Sequence, residues 1–209
     1  MNIEKIPKQV IKGRLTPLNL FIVDSIVLHH MAHSTADVKT VESWHINKGW
    51  SAIGYNYFVS FDGTVYKGRG LNVSASVSGH NDHIISIGFQ GDYDITSAKM
   101  PEKQYKAGVE LIKHLLCLVP DAEIKGHKDF GGSVCPGKAF PLDNFKKIKD
   151  DNEMIYDYID ENLPDWARPT IEKLVRLGHL KGDEHGRLGL NDTMLKIFVI
   201  NDRAGLYNN

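Results

Sequence analysis

The chain has 209 residues, of which 42% are hydrophobic and 24% charged, with a net charge of −1. That composition belongs to a globular protein rather than a disordered one, and the length holds one α/β domain of about 150 residues plus a small appendage. No run of about 18 apolar residues is present, which argues against membrane insertion, and the near-zero net charge gives no reason to expect a nucleic-acid partner.

The first 21 residues, MNIEKIPKQVIKGRLTPLNLF, lack the apolar core of about 7–15 residues found in a secretory signal. The expectation is a protein made in the cytoplasm that leaves it by an unusual route or not at all, or a chain given without its leader. Phe21–Met31 (FIVDSIVLHHM), rich in Val and Ile, reads as a buried strand. A helix is predicted from Thr35 to about Lys48, with Val38, Val41 and Trp44 on one face. Ser51–Phe61 and Thr64–Arg69 read as strands joined by Asp62-Gly63, a strong hairpin signal. Another strand falls within His83–Gly91. Pro101 stands at the start of a helix over about Glu102–Leu118, with Tyr105, Val109, Ile112 and Leu116 on one stripe and Leu111 and Leu115 beside it. Ala122–Gly126 is a short strand, followed by the loop HKDFGGSVCPGKAF and a helix from Pro141.

Together these elements predict an α/β domain with a mixed central sheet of about four to six strands flanked by helices. Through residue 150 there are 18 basic and 15 acidic side chains, and beyond it 7 and 11, a step that hints at a boundary. Two further helices are predicted at Asp165–Leu177 and Asn191–Arg203, separated by the turn-rich GHLKGDEHGRLGL. The division drawn from the sequence is 1–156 and 157–209.

Two cysteines, Cys117 and Cys135, do not make a disulfide scaffold. Cys117 lies beside Leu115 and Leu116 and reads as a core thiol. His29 ends a buried strand, His127 follows another, and Cys135 lies eight residues further in a glycine-rich loop. Two imidazoles and a thiolate are a three-ligand zinc set with a fourth position open. Spacing alone leaves the alternatives standing: strand-end histidines as polar termini, and a loop cysteine as a spectator or a partner of Cys117. His29 and His30 are consecutive, so on a strand they point to opposite faces, and periodicity does not say which one faces the site.

Four pieces stand in a fixed order over about residues 22–140: IVLHHMA, GWSAIGYNYFVSFDGTVYKGR, GHN with SIGFQGDYD, and GHKDFGGSVCPG. In this they resemble the N-acetylmuramoyl-L-alanine amidase type 2 family, the zinc amidases that include phage lysozymes of the amidase kind and the peptidoglycan recognition proteins. The resemblance implies one zinc ion held by His29, His127 and Cys135, with His30 left out. It implies that Tyr55 is the active-site tyrosine. Ser133 matches a position usually Lys or Thr that helps stabilise the transition state, and Gln90 stands where some branches have glutamate. Trp50, His80 and Asn81 are candidates for substrate contact, although a packing residue and a turn are the plain readings of them. Arg69 is read as a solvated surface charge rather than a ligand for a stem-peptide carboxylate. His45 and the other histidines are read as surface or structural.

The activity implied is hydrolysis of the amide between N-acetylmuramic acid and L-alanine in bacterial peptidoglycan, by a phage or prophage endolysin that accumulates in the host cytoplasm and acts at the wall after release. The alternatives are a module that only binds peptidoglycan, a host autolysin or recycling amidase, and a different zinc hydrolase of the wall. Residues 157–209 resemble a single S-layer-homology unit, through Trp166, Ala167, Ile171, Leu174 and the turn Gly178–Gly182. That resemblance implies attachment to a cell-wall polymer. So small a piece calls for the catalytic domain, another copy or a homodimer mate to bury Ile197, Phe198 and Ile200.

Overall fold

The computed structural model describes residues 2–151 and 155–207. Its contacts divide the chain into two compact units, Met1–Asp150 and Asp151–Asn209.

The first unit is built on a six-stranded sheet. The strands are β1 (Ile3–Lys5), β2 (Ser25–His30), β3 (Tyr57–Val59), β4 (Val65–Lys67), β5 (Ile84–Phe89) and β6 (Glu123–Gly126), in the spatial order β1-β4-β3-β5-β2-β6. β3 and β4 form an antiparallel hairpin and the other neighbours run parallel. The Asp62-Gly63 turn makes that hairpin, with Gly63 at φ +89° and the Asp62 carboxylate accepting from the Thr64 N–H. β2 and β5 are buried at all six positions, as expected of parallel strands covered on both faces.

Alternation along β2 sorts its side chains. Ile26 and Leu28 join the main core with Ile85, Ile87 and Phe89, under α2 (Glu102–Leu116) and α3 (Leu142–Asp151). Val27 faces the other way, packing with Val77 and Ile84. On that opposite face α1 (Val38–Asn47) covers Ile53 and Phe58 through Val38 and Val41. By the same alternation His29 falls on the face of Val27 and His30 on the face of Leu28.

The structure adjusts several expectations. α1 begins at Val38, because Asp37 caps it by accepting from the Thr40 N–H. Its buried face is Val38, Val41, Glu42 and His45, leaving Trp44 37% exposed. The buried face of α2 is centred on Gln104, Gly108, Leu111, Ile112 and Leu115, and Pro101 sits at its N-cap. Gly108 lets the helix approach closely, since a Cβ there would meet Phe89 at 2.7 Å. Cys117 is not a core thiol: it caps the last turn of α2 and is exposed, and both cysteines are free. β1 was not foreseen.

The strand expected over Ser51–Phe61 narrows to Tyr57–Val59. Asn56 is fully buried and its amide donates to the Gly70 and Asn72 carbonyls at 2.6 and 2.7 Å, while its oxygen accepts from the Ser86 N–H and hydroxyl. Asn56→Ala would strand these partners. We expect a loss of about 3 kcal/mol and a Tm lower by roughly 10 °C in thermal unfolding; an unchanged Tm would show that the network is dispensable.

The second unit holds α4 (Arg168–Arg176) and α5 (Asp192–Arg203). Its core is Tyr156, Leu163, Ala167, Ile171, Leu190, Leu195 and Val199, with Phe198 packed at the edge. Tyr156 belongs to this unit: its backbone pairs with Leu190 and its hydroxyl donates to Asp192, so the division falls before the 156/157 boundary read from the sequence. Asp202 ties α5 to α4 by accepting from Thr170 and pairing with Lys173. Ile197 and Ile200 stay exposed, the latter at 64%.

Candidate active site

The site forms at the carboxyl ends of adjacent parallel strands, the usual place for ligands in open α/β sheets. β6 runs beside β2 only as far as Gly126 opposite Leu28. Beyond that register the chain turns into a single 3-10 turn, His127–Phe130, while β2 continues through His29 and His30. Asp129 fixes the turn by accepting from the Gly126 N–H and from Lys146. Gly131 and Gly132, at φ +81° and +67°, then reverse the chain, and the Lys128 N–H donates to the Cys135 carbonyl at 2.7 Å.

This brings together the three residues the sequence singled out. One donor atom each from His29, His127 and Cys135 lies within 4.8 Å of the others. His29 Nδ1 is 3.7 Å from Cys135 Sγ, and the two imidazole rings are 4.8 Å apart. Tetrahedral zinc, with bonds of about 2.1 Å to nitrogen and about 2.3 Å to sulfur, places such a pair roughly 3.6 Å apart. His29 is 2% exposed and its Nε2 has no hydrogen-bond partner, the one such buried side-chain atom among the described residues. Burial, then the neighbouring His127 and His30, hold its pKa well below the ordinary histidine value, and burial lowers that of His127. Both rings are therefore neutral near pH 7, with lone pairs available to a metal. Burial pushes the Cys135 thiol up to about 11, partly opposed by the His30 backbone N–H directed at its sulfur. Two neutral imidazoles beside a thiol fit zinc, which prefers nitrogen and sulfur donors.

Tyr55 lies beside the cluster, its ring 5.2 Å from that of His29. It packs over Gly88, the β5 residue in register with His29, where a Cβ would come within 2.8 Å of the Tyr55 ring. Burial, with Cys135 nearby, raises its pKa, so its hydroxyl keeps its proton and remains a donor. Ser133 lies in the ligand loop, its Oγ accepting from the Cys135 N–H at 3.1 Å, with its own proton left to donate.

The substrate-contact candidates have structural ties as well. Trp50 stacks on His45 with ring centres 4.6 Å apart. His80 packs against Phe130 and its Nδ1 is 3.2 Å from His83 Nε2. The Asn81 oxygen accepts from Ser74 Oγ and from the Ser76 and Val77 N–H groups, so it shapes the loop that carries His80. Arg69 is not a solvated surface charge. It is 8% exposed, donating to the Ile53 and Val73 carbonyls and to Ser51. Gln90 bridges the Phe61 N–H and the Thr35 carbonyl.

Sequence reasoning passed over His45. It accepts from the Gly54 N–H at 3.0 Å, lies between Trp50 and Tyr55, and is held at about 4 by burial and by nearby Lys48 and Arg69. No local periodicity links it to Gly54, nine residues away.

The Amidase_2 family profile, described as N-acetylmuramoyl-L-alanine amidase, matches residues 20–138. Peptidoglycan-recognition protein SC2 of Drosophila simulans is 31% identical over 124 residues, 53% of this chain and 66% of that protein, so just under two thirds of the relative is spanned. Among solved structures, the N-acetylmuramoyl-L-alanine amidase LysC from Clostridium intestinale is similar at 28% identity and a TM-score of 0.58, covering 70% of this chain and 99% of that one. The endolysin amidase LysCS from the same organism is similar at 26% identity and a TM-score of 0.58, covering 70% and 97%. The matched stretch contains every residue of the site described above, and the chain belongs to the N-acetylmuramoyl-L-alanine amidase family Amidase_2.

Proposed function

We propose that the chain is a zinc-dependent amidase that cleaves the bond between N-acetylmuramic acid and L-alanine in bacterial peptidoglycan. The observation that carries this reading is the convergence of one donor atom each from His29, His127 and Cys135 within 4.8 Å of one another, with Tyr55 alongside. When bound, zinc supplies Lewis-acid polarisation of the scissile carbonyl and a water nucleophile near neutral pH. The chain's own residues do the rest. Tyr55, kept protonated by burial, donates to the oxyanion as the carbonyl carbon becomes tetrahedral. Ser133 offers a second, shorter-reaching hydroxyl from the ligand loop. Gln90, an amide already bonded to two backbone groups, is not a general base. Trp50 and His80 are the proposed substrate contacts.

The likeness to the endolysin amidase LysCS supports an endolysin, and a phage or prophage origin, with passage from the host cytoplasm to the wall, is proposed with it. The second unit is proposed to hold the enzyme on a cell-wall polymer. Mass spectrometry of purified peptidoglycan after incubation with the zinc-loaded protein tests the reaction. Free stem peptides beginning with L-alanine, beside intact glycan, are expected. Cleavage at another bond would replace the reaction, and wall binding without cleavage would make the chain a peptidoglycan-binding module. The same preparation of a chain ending at residue 150 should bind walls less well; equal binding would remove the role of the second unit.

A further inference from the structure

We infer that His30, the histidine next to the metal ligand, is a positioning residue for Cys135, bracing the turn on which the cysteine loop rests. The inference depends on the reading that His29, His127 and Cys135 hold zinc.

His30 is buried on the opposite face of β2 from His29. The Tyr93 N–H donates to its Nδ1 at 3.0 Å. A nitrogen that accepts has no proton, so the ring is neutral and its proton sits on Nε2. That N–H faces Asp94, whose Oδ2 is 3.7 Å away, and Asp92 Oδ1 lies 3.8 Å from Nδ1. One imidazole and two carboxylates have the composition of a cation site. The tautomer argues against it, because one nitrogen is occupied by the Tyr93 N–H and the other carries the proton. No imidazole lone pair is left for a metal, and the cluster works as a brace.

What it braces is the ligand loop. The Tyr93 carbonyl accepts from the Ala139 N–H at 2.9 Å. Gly137, two residues beyond Cys135, lies at φ +97° so close to this turn that a Cβ would overlap the Tyr93 carbonyl group and come within 2.7 Å of the Asp94 nitrogen. The Gly137 N–H in turn donates to the Val134 carbonyl at 2.9 Å. His30 thus acts on the third ligand through the turn its ring holds.

The test uses metal binding rather than hydrolysis. The full-length chain and its variants are titrated with zinc against a chromophoric chelator and with Co²⁺, whose thiolate charge-transfer band reports the sulfur–metal bond. Asn places its side-chain oxygen near the position of Nδ1, whereas Gln reaches toward Nε2. We expect His30→Ala to lower zinc affinity by about 10–100-fold, the range for outer-shell residues, and to weaken the cobalt–thiolate band. His30→Asn should recover most of the affinity and His30→Gln should not. His30→Ala that folds and binds both metals like the wild type would overturn the inference. If His30→Ala does not fold, the comparison of Asn with Gln decides, and equal or reversed affinities overturn it. A wild-type chain that binds neither metal would instead remove the zinc reading itself, and the role of His30 with it.

Discussion

Cys135→Ser should abolish amide hydrolysis while leaving the chain folded. A serine hydroxyl does not ionise near neutral pH and is a poor zinc ligand, so the site would retain only two imidazoles, those of His29 and His127. Zinc content should fall from about one ion per chain to near zero. The metal is asked to supply several kcal/mol of transition-state stabilisation, so the rate should drop by about a thousandfold or more. Cys135 is only partly buried and lies in a loop rather than the core, so the metal-free stability should change by less than about 1 kcal/mol. Metal analysis and product mass spectrometry on the same sample check both halves. A serine variant that keeps a full equivalent of zinc and full activity would refute the ligand assignment.

Tyr55→Phe is expected to separate the metal from the oxyanion donor. Phenylalanine keeps the ring that packs over Gly88 and against His29 and His45, so folding and zinc content should be unchanged. Only the hydroxyl is lost. Removing one donor of this kind costs about 10²–10³ in kcat, with KM much less affected. Steady-state kinetics on a soluble muropeptide measures the split. If the loss falls in KM with kcat intact, Tyr55 binds the ground state rather than the oxyanion. Ser133→Ala should cost less, because that hydroxyl already serves the Cys135 N–H.

The order of helices and strands was legible where apolar periodicity was strong, as in β2, β5 and α2. It failed where long-range contacts decide. β1 has three residues and little pattern, and exists because β4 offers it an edge. Trp44 shares a helical face with Val38 and Val41 on paper, but the buried face of α1 runs on from those two to Glu42 and His45 and leaves Trp44 out. The metal-binding trio was nameable from residue type and family resemblance. Which of the two adjacent histidines faces it came from that resemblance and not from periodicity, because a period of two says only that they differ. The structure supplies the physical reason: Val27 and His29 share one face, and Leu28 and His30 share that of the main core. The burial of Arg69 was illegible for a related reason, since it donates mainly to backbone carbonyls, which every residue carries.

The order of the sheet also bears on how the chain keeps apart from its own copies. SIVLHH and IISIGF, the two six-residue strands buried at every position, are the segments most suited to stacking into cross-β assemblies if exposed. Neither is at a border: β5 lies between β3 and β2, and β2 between β5 and β6. The borders fall to β1, three residues long with Glu4 and Lys5 exposed, and to β6, where Glu123 and Lys125 form an ion pair at 2.9 Å. A foreign strand docking at either side would have to strip water from charged groups for a few hydrogen bonds. The same short β6 that exposes the end of β2 to the metal ligands therefore also shields the rest of it from self-association.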